Sequence, residues 1–500
     1  MNTILIPPVT SHNLDPHSGF PFIPHMAGYL AGELKKFDPN LQILDSFSES
    51  PTNINFLEDL MFQGLSISSI EKKISTNTKN IFIYARTIID YEIILKLIKH
   101  FKKIDKYNII IFENTQCVDA LVLKPIYDDF LNAGANIVIF GEPENRIKSV
   151  LEVLRNKDQI NKNLNIKGVA IKFDNFFYLN EESLFDKDID KFSFPYWDGW
   201  NLNGYWKLNY AHPPIKKGDR FVTLITSRGC PFRCTFCVAP ELNPTWRFRS
   251  PKNVVDEIEY FNKKLNINDF HISDLNPTIR ENRIIDICKE IITRNIKITW
   301  KVAQGTKIET IKNLDTLKLM YDSGCRFLSF SPESGSAEVM KDIINKPFKY
   351  DVALETVKAM RKIGIRSQAC FVVGMPGEKK IHRKKSMNYM LKLAKAGVDE
   401  VACYIITPLP GSKIFKDISG YKSLSQCSHT PTWRKDFREL YTFRIKFYLS
   451  FLFFKFIFNP KQFYLIFQRL ITLKFETKME MSLYKKMKLI LMRYKLLTFK

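Results

Sequence analysis

Five hundred residues, 45% of them hydrophobic and 13% aromatic, suffice for about three domains with ample core. No run of about 18 uncharged apolar residues occurs, so a spanning helix is not indicated. The opening Met1-Asn-Thr-Ile-Leu-Ile-Pro-Pro has no basic start and reads as a first buried strand rather than a signal peptide. The net charge of +23 is uneven, with 17 Lys/Arg against 4 Asp/Glu in residues 421–500.

Residues 1–150 alternate short apolar runs with helical patterns. The runs are Ile4–Ile6, Gln42–Leu44, Ile81–Tyr84, Ile109–Phe112 and Ile137–Phe140. Between them, Met26–Lys36, Tyr91–Lys103 and Leu121–Ala133 have amphipathic spacing. Strand and helix in repeated alternation predict a doubly wound, Rossmann-like parallel sheet, whose ligands bind beyond the carboxyl ends of the strands. The loop from Pro7 to Phe20 and the turn Gly141-Glu-Pro-Glu144 fall at such ends. His12, His17 and His25 are read as loop or surface histidines. Residues 151–218 read as a connector with a small strand pair (Lys167–Phe173, Phe176–Leu179) and an aromatic strap ending at Trp197.

From 219 to 420 the alternation resumes with longer helices. Expected strands are Phe221–Ile225, Asp269–Ile272, Ile298–Ala303, Arg326–Phe330, Ser367–Val373 and Glu400–Ile406. Directly after the first lies Cys230-Pro-Phe-Arg-Cys234-Thr-Phe-Cys237. Three cysteines spaced CxxxCxxC in one loop suit an iron–sulfur cluster, whose irons are held by thiolates. Structural zinc is the rival, but it needs a fourth ligand, usually in paired CxxC or CxxC/His spacings. No second pair follows: Cys117, Cys288, Cys325, Cys370, Cys403 and Cys427 stand singly. So few cysteines in this length argue against a disulfide knuckle and for a reducing, cytoplasmic setting.

This loop, down to Phe236 before the last cysteine, resembles the signature of the radical S-adenosylmethionine (radical SAM) superfamily. The resemblance implies a partial (β/α)6 TIM-type barrel over 219–420, with Cys230, Cys234 and Cys237 holding a 4Fe-4S cluster that binds SAM on its open iron. Ser331-Pro-Glu333-Ser334-Gly-Ser336 resembles the superfamily's ESGS element, reaching the ribose and methionyl group, although Ser334 or Ser336 would also cap a helix well. Gly374-Met-Pro376-Gly377-Glu378 is similar to its GxPGE turn, and Thr407-Pro-Leu-Pro410-Gly411 also matches. Asp274, in Ser273-Asp-Leu-Asn-Pro-Thr278, stands in register with Arg283 where a SAM-amino contact is implied, though the second acid there is replaced by Leu275. Lys307 stands where relatives often have arginine.

A doubly wound sheet ahead of such a core resembles the cobalamin-binding domain of the B12-dependent class, and Gly141-Glu-Pro-Glu144 resembles its GEGE turn with Pro143 for glycine. The DxHxxG motif that supplies histidine to cobalt is absent. The implied chemistry is reductive cleavage of SAM to a 5′-deoxyadenosyl radical, with an electron donor of flavodoxin or ferredoxin type. The leading outcome is methyl transfer from cobalamin to an unactivated carbon of a small-molecule or lipid-linked substrate. Cobalamin-independent ring closure, oxidation, or tRNA or protein modification is the alternative, and a non-catalytic iron–sulfur protein a third.

Residues 421–500 form a basic, aromatic tail expected to be helical. Within 433–500, ten aromatics from Phe443 to Tyr464 interleave with Arg444, Lys446, Lys455 and Lys461, and Asn459-Pro460 splits the pattern into two helices. The tail reads either as a cap packed on the barrel or as a peripheral contact on the inner face of an anionic membrane. Nucleic acid is disfavoured because Phe outnumbers Arg and no RNA-binding fold is legible.

Overall fold

The computed structural model describes the chain apart from residues 13–20, 58–59, 158–163, 183, 209–210 and 499–500. The first sheet has seven strands: β1 (Asn2–Ile6), β2 (Gln42–Asp45), β3 (Asn80–Ala85), β4 (Asn108–Glu113), β5 (Ile137–Ile139), β6 (Val169–Phe173) and β7 (Phe176–Asn180). Their spatial order is β7-β6-β5-β4-β3-β1-β2. Strands β1 to β5 are parallel, with Ile4 opposite Ile43 on one side and Phe82 on the other. The apolar runs exist because helices cover both faces, so neither face needs polar residues. The order reverses between β1 and β3, and that switch point is where doubly wound sheets take ligands. Strands β6 and β7, expected in the connector, pair antiparallel onto β5 and extend this sheet to Asn180. A three-stranded antiparallel sheet (Val9–His12, Ile54–Leu57, Leu60–Gln63) was not foreseen.

The second sheet has six parallel strands in chain order: β8 (Phe221–Leu224), β9 (Asp269–Ile272), β10 (Thr299–Thr306), β11 (Cys325–Glu333), β12 (Arg366–Val373) and β13 (Glu400–Ile405). Helices Pro251–Leu265, Glu281–Thr293, Leu314–Asp322, Tyr350–Ile363 and Lys380–Ala396 alternate with them. Along β12, Ala369, Phe371 and Val373 join the core with Val357 and Leu393 of those helices, whereas Gln368, Cys370 and Val372 line a cavity. This two-residue period divides a packed face from a working face.

Helix α1 (His25–Leu34) is buried almost all round, because it lies between the two units. The Tyr29 hydroxyl donates to Glu257 at 3.1 Å, and Gly28 faces Trp197 so closely that an added Cβ would sit 2.3 Å from its ring. The tail forms three helices: α2 (Phe437–Phe458), α3 (Pro460–Thr472) and α4 (Lys478–Thr498). Helix α2 packs on Lys380–Ala396 and β13, placing Leu440, Phe447 and Phe451 in the core. Among the described residues no helix is long and apolar enough to cross a membrane.

Candidate functional site

The strand ends of both units and the cysteine loop meet around one cavity of about 270 Å³. Cys230, Cys234, Phe236 and Cys237 form part of its wall. The loop is pinned by its backbone: the Cys230 N–H donates to Asn243 O at 3.1 Å and the Thr235 N–H to Ile344 O at 3.0 Å. Gly229 has φ +80°, and a Cβ there would lie 2.3 Å from Thr245 O, so glycine is needed directly before Cys230.

Burial pushes the Cys230 thiol up and the Cys234 thiol to about 11. Among the described residues, no three His, Cys, Asp or Glu side chains converge tightly enough for a single metal ion. All three thiols line the cavity, on a loop whose three-cysteine spacing suits an iron–sulfur cluster.

Glu333 shares that cavity, its carboxylate 2.7 Å from Lys346 Nζ, and its backbone is left-handed at φ +54°. Such strain in a non-glycine residue is characteristic of functional sites. Ser334 and Ser336 are buried behind it: Ser334 Oγ lies 3.1 Å from Ser386 Oγ and accepts the Ser336 N–H at 3.2 Å, while Ser336 Oγ has no partner among the described residues. Neither serine lines the cavity. Lys307 does, lying 4.9 Å from the Phe232 ring centre.

Two expected contacts lie elsewhere. Asp274 does not reach the cavity. It accepts from the Thr226 N–H at 2.7 Å, Thr226 Oγ1 at 2.6 Å and Ser227 Oγ at 2.5 Å, so its oxygens are spent on the chain leading to the cysteines. The Gly374-Met-Pro376-Gly377-Glu378 turn is also outside the lining. A Cβ on Gly374 would meet Leu440 of α2 at 2.6 Å, and Glu378, pushed up to about 6 by burial, accepts the Gly374 N–H at 2.6 Å. The tail covers this turn.

The first sheet contributes its switch-point loops. Thr10 follows β1, Arg86 and Thr87 follow β3, and Cys117 to Asp119 follow β4; all line the cavity. His25, expected near the surface, is instead buried at the start of α1, its Nε2 3.1 Å from Asn114 Oδ1, and burial lowers it to about 4. His17 lies outside the described residues. At and behind this wall, several buried polar atoms have no partner among the described residues: Thr10 Oγ1, Ser11 Oγ, His25 Nδ1, Asn114 Nδ2, both Gln116 amide atoms and Gln304 Oε1. Buried groups are normally satisfied, so this set, rich in amides, suits a ligand edged with amide donors and acceptors, as a corrin is.

The Gly141-Glu-Pro-Glu144 turn does something the sequence did not signal. Glu144 pairs with Arg228 at 2.8 Å and Glu142 with Arg247 at 2.5 Å, all four side chains being buried. The turn clamps the chain two residues before Cys230. Lys346, Gln304, His212, Tyr404, His429 and Lys478 also line the cavity and were not singled out, since none sits in a motif.

Residues 224–390 match the family model described as the Radical SAM superfamily. With the three-thiol loop inside that span, residues 224–390 are a radical SAM domain. It is 29% identical over 239 residues to the cytidylyl-2-hydroxyethylphosphonate methyltransferase of Streptomyces wedmorensis, covering 46% of this chain and 43% of that protein. It is 26% identical over 287 residues to the anaerobic magnesium-protoporphyrin IX monomethyl ester cyclase of Cereibacter sphaeroides, covering 57% and 44%. The chain thus spans less than half the length of these curated relatives. In fold it is similar to the radical S-adenosylmethionine methyltransferase TsrM from Kitasatospora setae, solved with cobalamin and a 4Fe-4S cluster bound. The TM-score is 0.62 at 13% identity, covering 83% of this chain and 74% of that one. The cobalamin-dependent S-adenosylmethionine radical enzyme OxsB matches with TM-score 0.58 at 16% identity, over 89% and 56%.

Proposed function

We propose that the chain is a radical SAM enzyme that transfers a methyl group, with cobalamin, to an unactivated carbon of an anaerobically processed substrate. The observation that carries this is the shared cavity: the three-thiol loop, the second sheet's strand ends and the first sheet's switch point all open into it. The cluster would supply the electron that cleaves SAM to a 5′-deoxyadenosyl radical, and cobalamin the methyl group. Cys230, Cys234 and Cys237 would hold the cluster. Glu333, with Lys346 beside it, would orient the charged end of SAM, and Phe236 would shield it from water; Ser334, Ser336 and the Gly374–Glu378 turn would brace that wall. Asp274 would act one step back, by fixing the residues before Cys230. Thr10 and Gln304, which line the cavity, would receive corrin amides.

On this reading the first sheet and its helices, which run to Asn180 rather than ending at 150, are the cobalamin unit, 181–218 the connector, 219–420 a core curved into a partial (β/α)6 barrel, and 421–500 a tail. A flavodoxin- or ferredoxin-type protein would deliver electrons. The named relatives include a cyclase, which favours ring closure as the second reading. We further infer that the tail rests on an anionic membrane surface, which would bring lipid-linked substrates within reach. Its exposed stripes carry Leu449, Phe453, Tyr464, Phe467 and Ile471, and Lys446 and Lys461 beside them are exposed and form no ion pair among the described residues.

The decisive experiment is anaerobic purification with hydroxocobalamin and reconstitution with iron and sulfide. About one corrinoid per chain and formation of 5′-deoxyadenosine are expected. SAM cleavage without corrinoid would favour the cobalamin-independent enzyme, and a cluster without SAM cleavage would leave an electron carrier.

A further inference from the structure

Lys478 is the first residue of α4, yet its side chain lies inside the cavity of the second sheet. Two devices hold the helix start there. Thr477 and Glu480 cap it reciprocally: the Glu480 N–H donates to Thr477 Oγ1 at 3.3 Å, and the Glu480 carboxylate accepts the Thr477 N–H at 3.2 Å. Glu400, the first residue of β13, accepts the N–H groups of Lys478 and Met479 at 3.0 and 2.5 Å. A buried carboxylate at a helix N-terminus is favourably placed against the helix dipole. From this anchor Lys478 Nζ reaches Ala303 O on β10 at 2.7 Å and lies 5.6 Å from the Phe327 ring centre on β11.

The charges around the cavity do not balance at this point. Arg86, Lys307, Lys346 and Lys478 are its lining cations. The first three have acid partners: Asp90 at 2.9 Å, Glu309 at 3.2 Å and Glu333 at 2.7 Å. Lys478 has no carboxylate within ion-pair distance among the described residues, and the residue is only 9% exposed. The other lining acid, Asp119, accepts from Cys117 Sγ at 2.6 Å. His212, Gln368, Cys370, Tyr404 and His429 line the cavity with Lys478 and include no acid. Glu400 is the acid whose charge reaches Lys478, but it spends both carboxylate oxygens on the helix N–H groups, so the ammonium, pushed down by burial, has one carbonyl partner and no paired acid, which is costly to maintain. A ligand anion would remove that cost.

We propose that Lys478 is a specificity-determining residue that receives a carboxylate or phosphate group of the substrate, so that the tail completes the substrate site as well as covering the fold. The proposal rests on the cavity being the reaction chamber. Its chemistry excludes neutral and cationic substrates of the same shape.

The test uses hexanoate, hexyl phosphate and neutral hexanamide as probes. Their binding is measured by calorimetry on full-length protein loaded with cluster, SAM and hydroxocobalamin, so that the anions of those cofactors are already placed. At least one acid is expected to bind about tenfold more tightly than the amide. Lys478→Met should erase that preference and Lys478→Arg should keep most of it. Which of the two acids is preferred separates carboxylate from phosphate. An amide that binds as tightly as both acids, or a preference that survives in Lys478→Met, overturns the proposal. Should Lys478→Met fail to fold, the wild-type comparison and Lys478→Arg still decide it. 5′-Deoxyadenosine is measured on the same samples. Its absence would count against the enzyme reading and leave the binding comparison standing, whereas its presence without acid preference would defeat only the role of Lys478.

Discussion

Arg228 and Glu144 meet at 2.8 Å with both side chains buried, and this pair ties the last loop of the parallel part of the first sheet to the chain two residues before Cys230. Arg228 also lies 3.4 Å from Glu142, which in turn holds Arg247. A network of two carboxylates and two guanidiniums therefore fixes the cysteine loop against the neighbouring unit.

Removing one partner of such a network leaves an uncompensated buried charge, typically at a cost of about 3–5 kcal/mol. Arg228→Met is expected to lower unfolding stability in urea by that order and to reduce iron retained per chain after reconstitution. A variant within about 1 kcal/mol of wild type and with full iron content would show that the clamp does not position the loop.

Alanine at Cys230, Cys234 or Cys237 should abolish four-iron absorbance and SAM cleavage together. Cys288, Cys325 and Cys427 are buried free thiols, the first two close to each other and the third in the cavity wall away from the three-cysteine loop in sequence, so their replacement by alanine should leave the cluster spectrum unchanged and cost only packing, about 1 kcal/mol each. Loss of the spectrum in any of these three would mean that the ligand set has been misread.

The strands were legible where burial on both faces made them continuous apolar runs, as in Ile109–Phe112, and the cysteine loop was legible because its spacing carries chemistry by itself. What the sequence concealed is long-range. Glu142 and Glu144 resemble a ligand turn locally, but their partners lie about a hundred residues on. Asp274 looks like a cofactor contact until Thr226 and Ser227 are seen to occupy its oxygens. Lys478 lies in a lysine-rich stretch that reads as a solvated face, and only the docking of α4 on Glu400 turns it inward. The antiparallel end of the first sheet was placed in the connector because no crossover helix separates β6 from β7.

Glu113 provides a pH signature. It is buried at the end of β4, accepts the Leu123 N–H at 2.7 Å, and burial raises it from 4.5 to about 7. The native state then binds a proton that the unfolded chain has lost between those two values. Stability should therefore fall as pH rises from about 4.5 to about 7 and level off above, by an amount on the order of 3 kcal/mol if the whole shift is realised. Glu113→Gln should make that part of the profile shallower in urea unfolding followed across pH, the remaining slope coming from Glu400 and Glu378, which burial also raises. An unchanged slope in the variant would assign the dependence to another group.

The tail divides its apolar residues between two jobs. Leu440, Phe447 and Phe451 of α2 are core, while Arg444 and Lys455 on the same side are drawn inward, the Lys455 ammonium donating to Asp399 O. The outer side shows Leu449 at 62% and Phe453 at 60% exposure, α3 adds Tyr464 at 72% and Ile471 at 84%, and α4 adds Leu491 at 63%. Phe456 and Phe463, with ring centres 5.4 Å apart, carry the apolar surface from α2 onto α3. An apolar stripe edged by lysines is the composition of an interfacial helix, and each basic residue near an anionic surface adds about 1 kcal/mol, fading with salt. Deleting the tail would strip core residues and Lys478 together, so the informative variant changes only the outer face: Leu449, Phe453, Tyr464, Phe467 and Ile471 to glutamine. Full-length protein should sediment with phosphatidylserine-containing vesicles at low salt and less at high salt, and the five-fold variant should stay in the supernatant with an unchanged melting temperature. Equal sedimentation of the two proteins would make the stripe an ordinary exposed surface and remove the reason to expect a lipid-linked substrate.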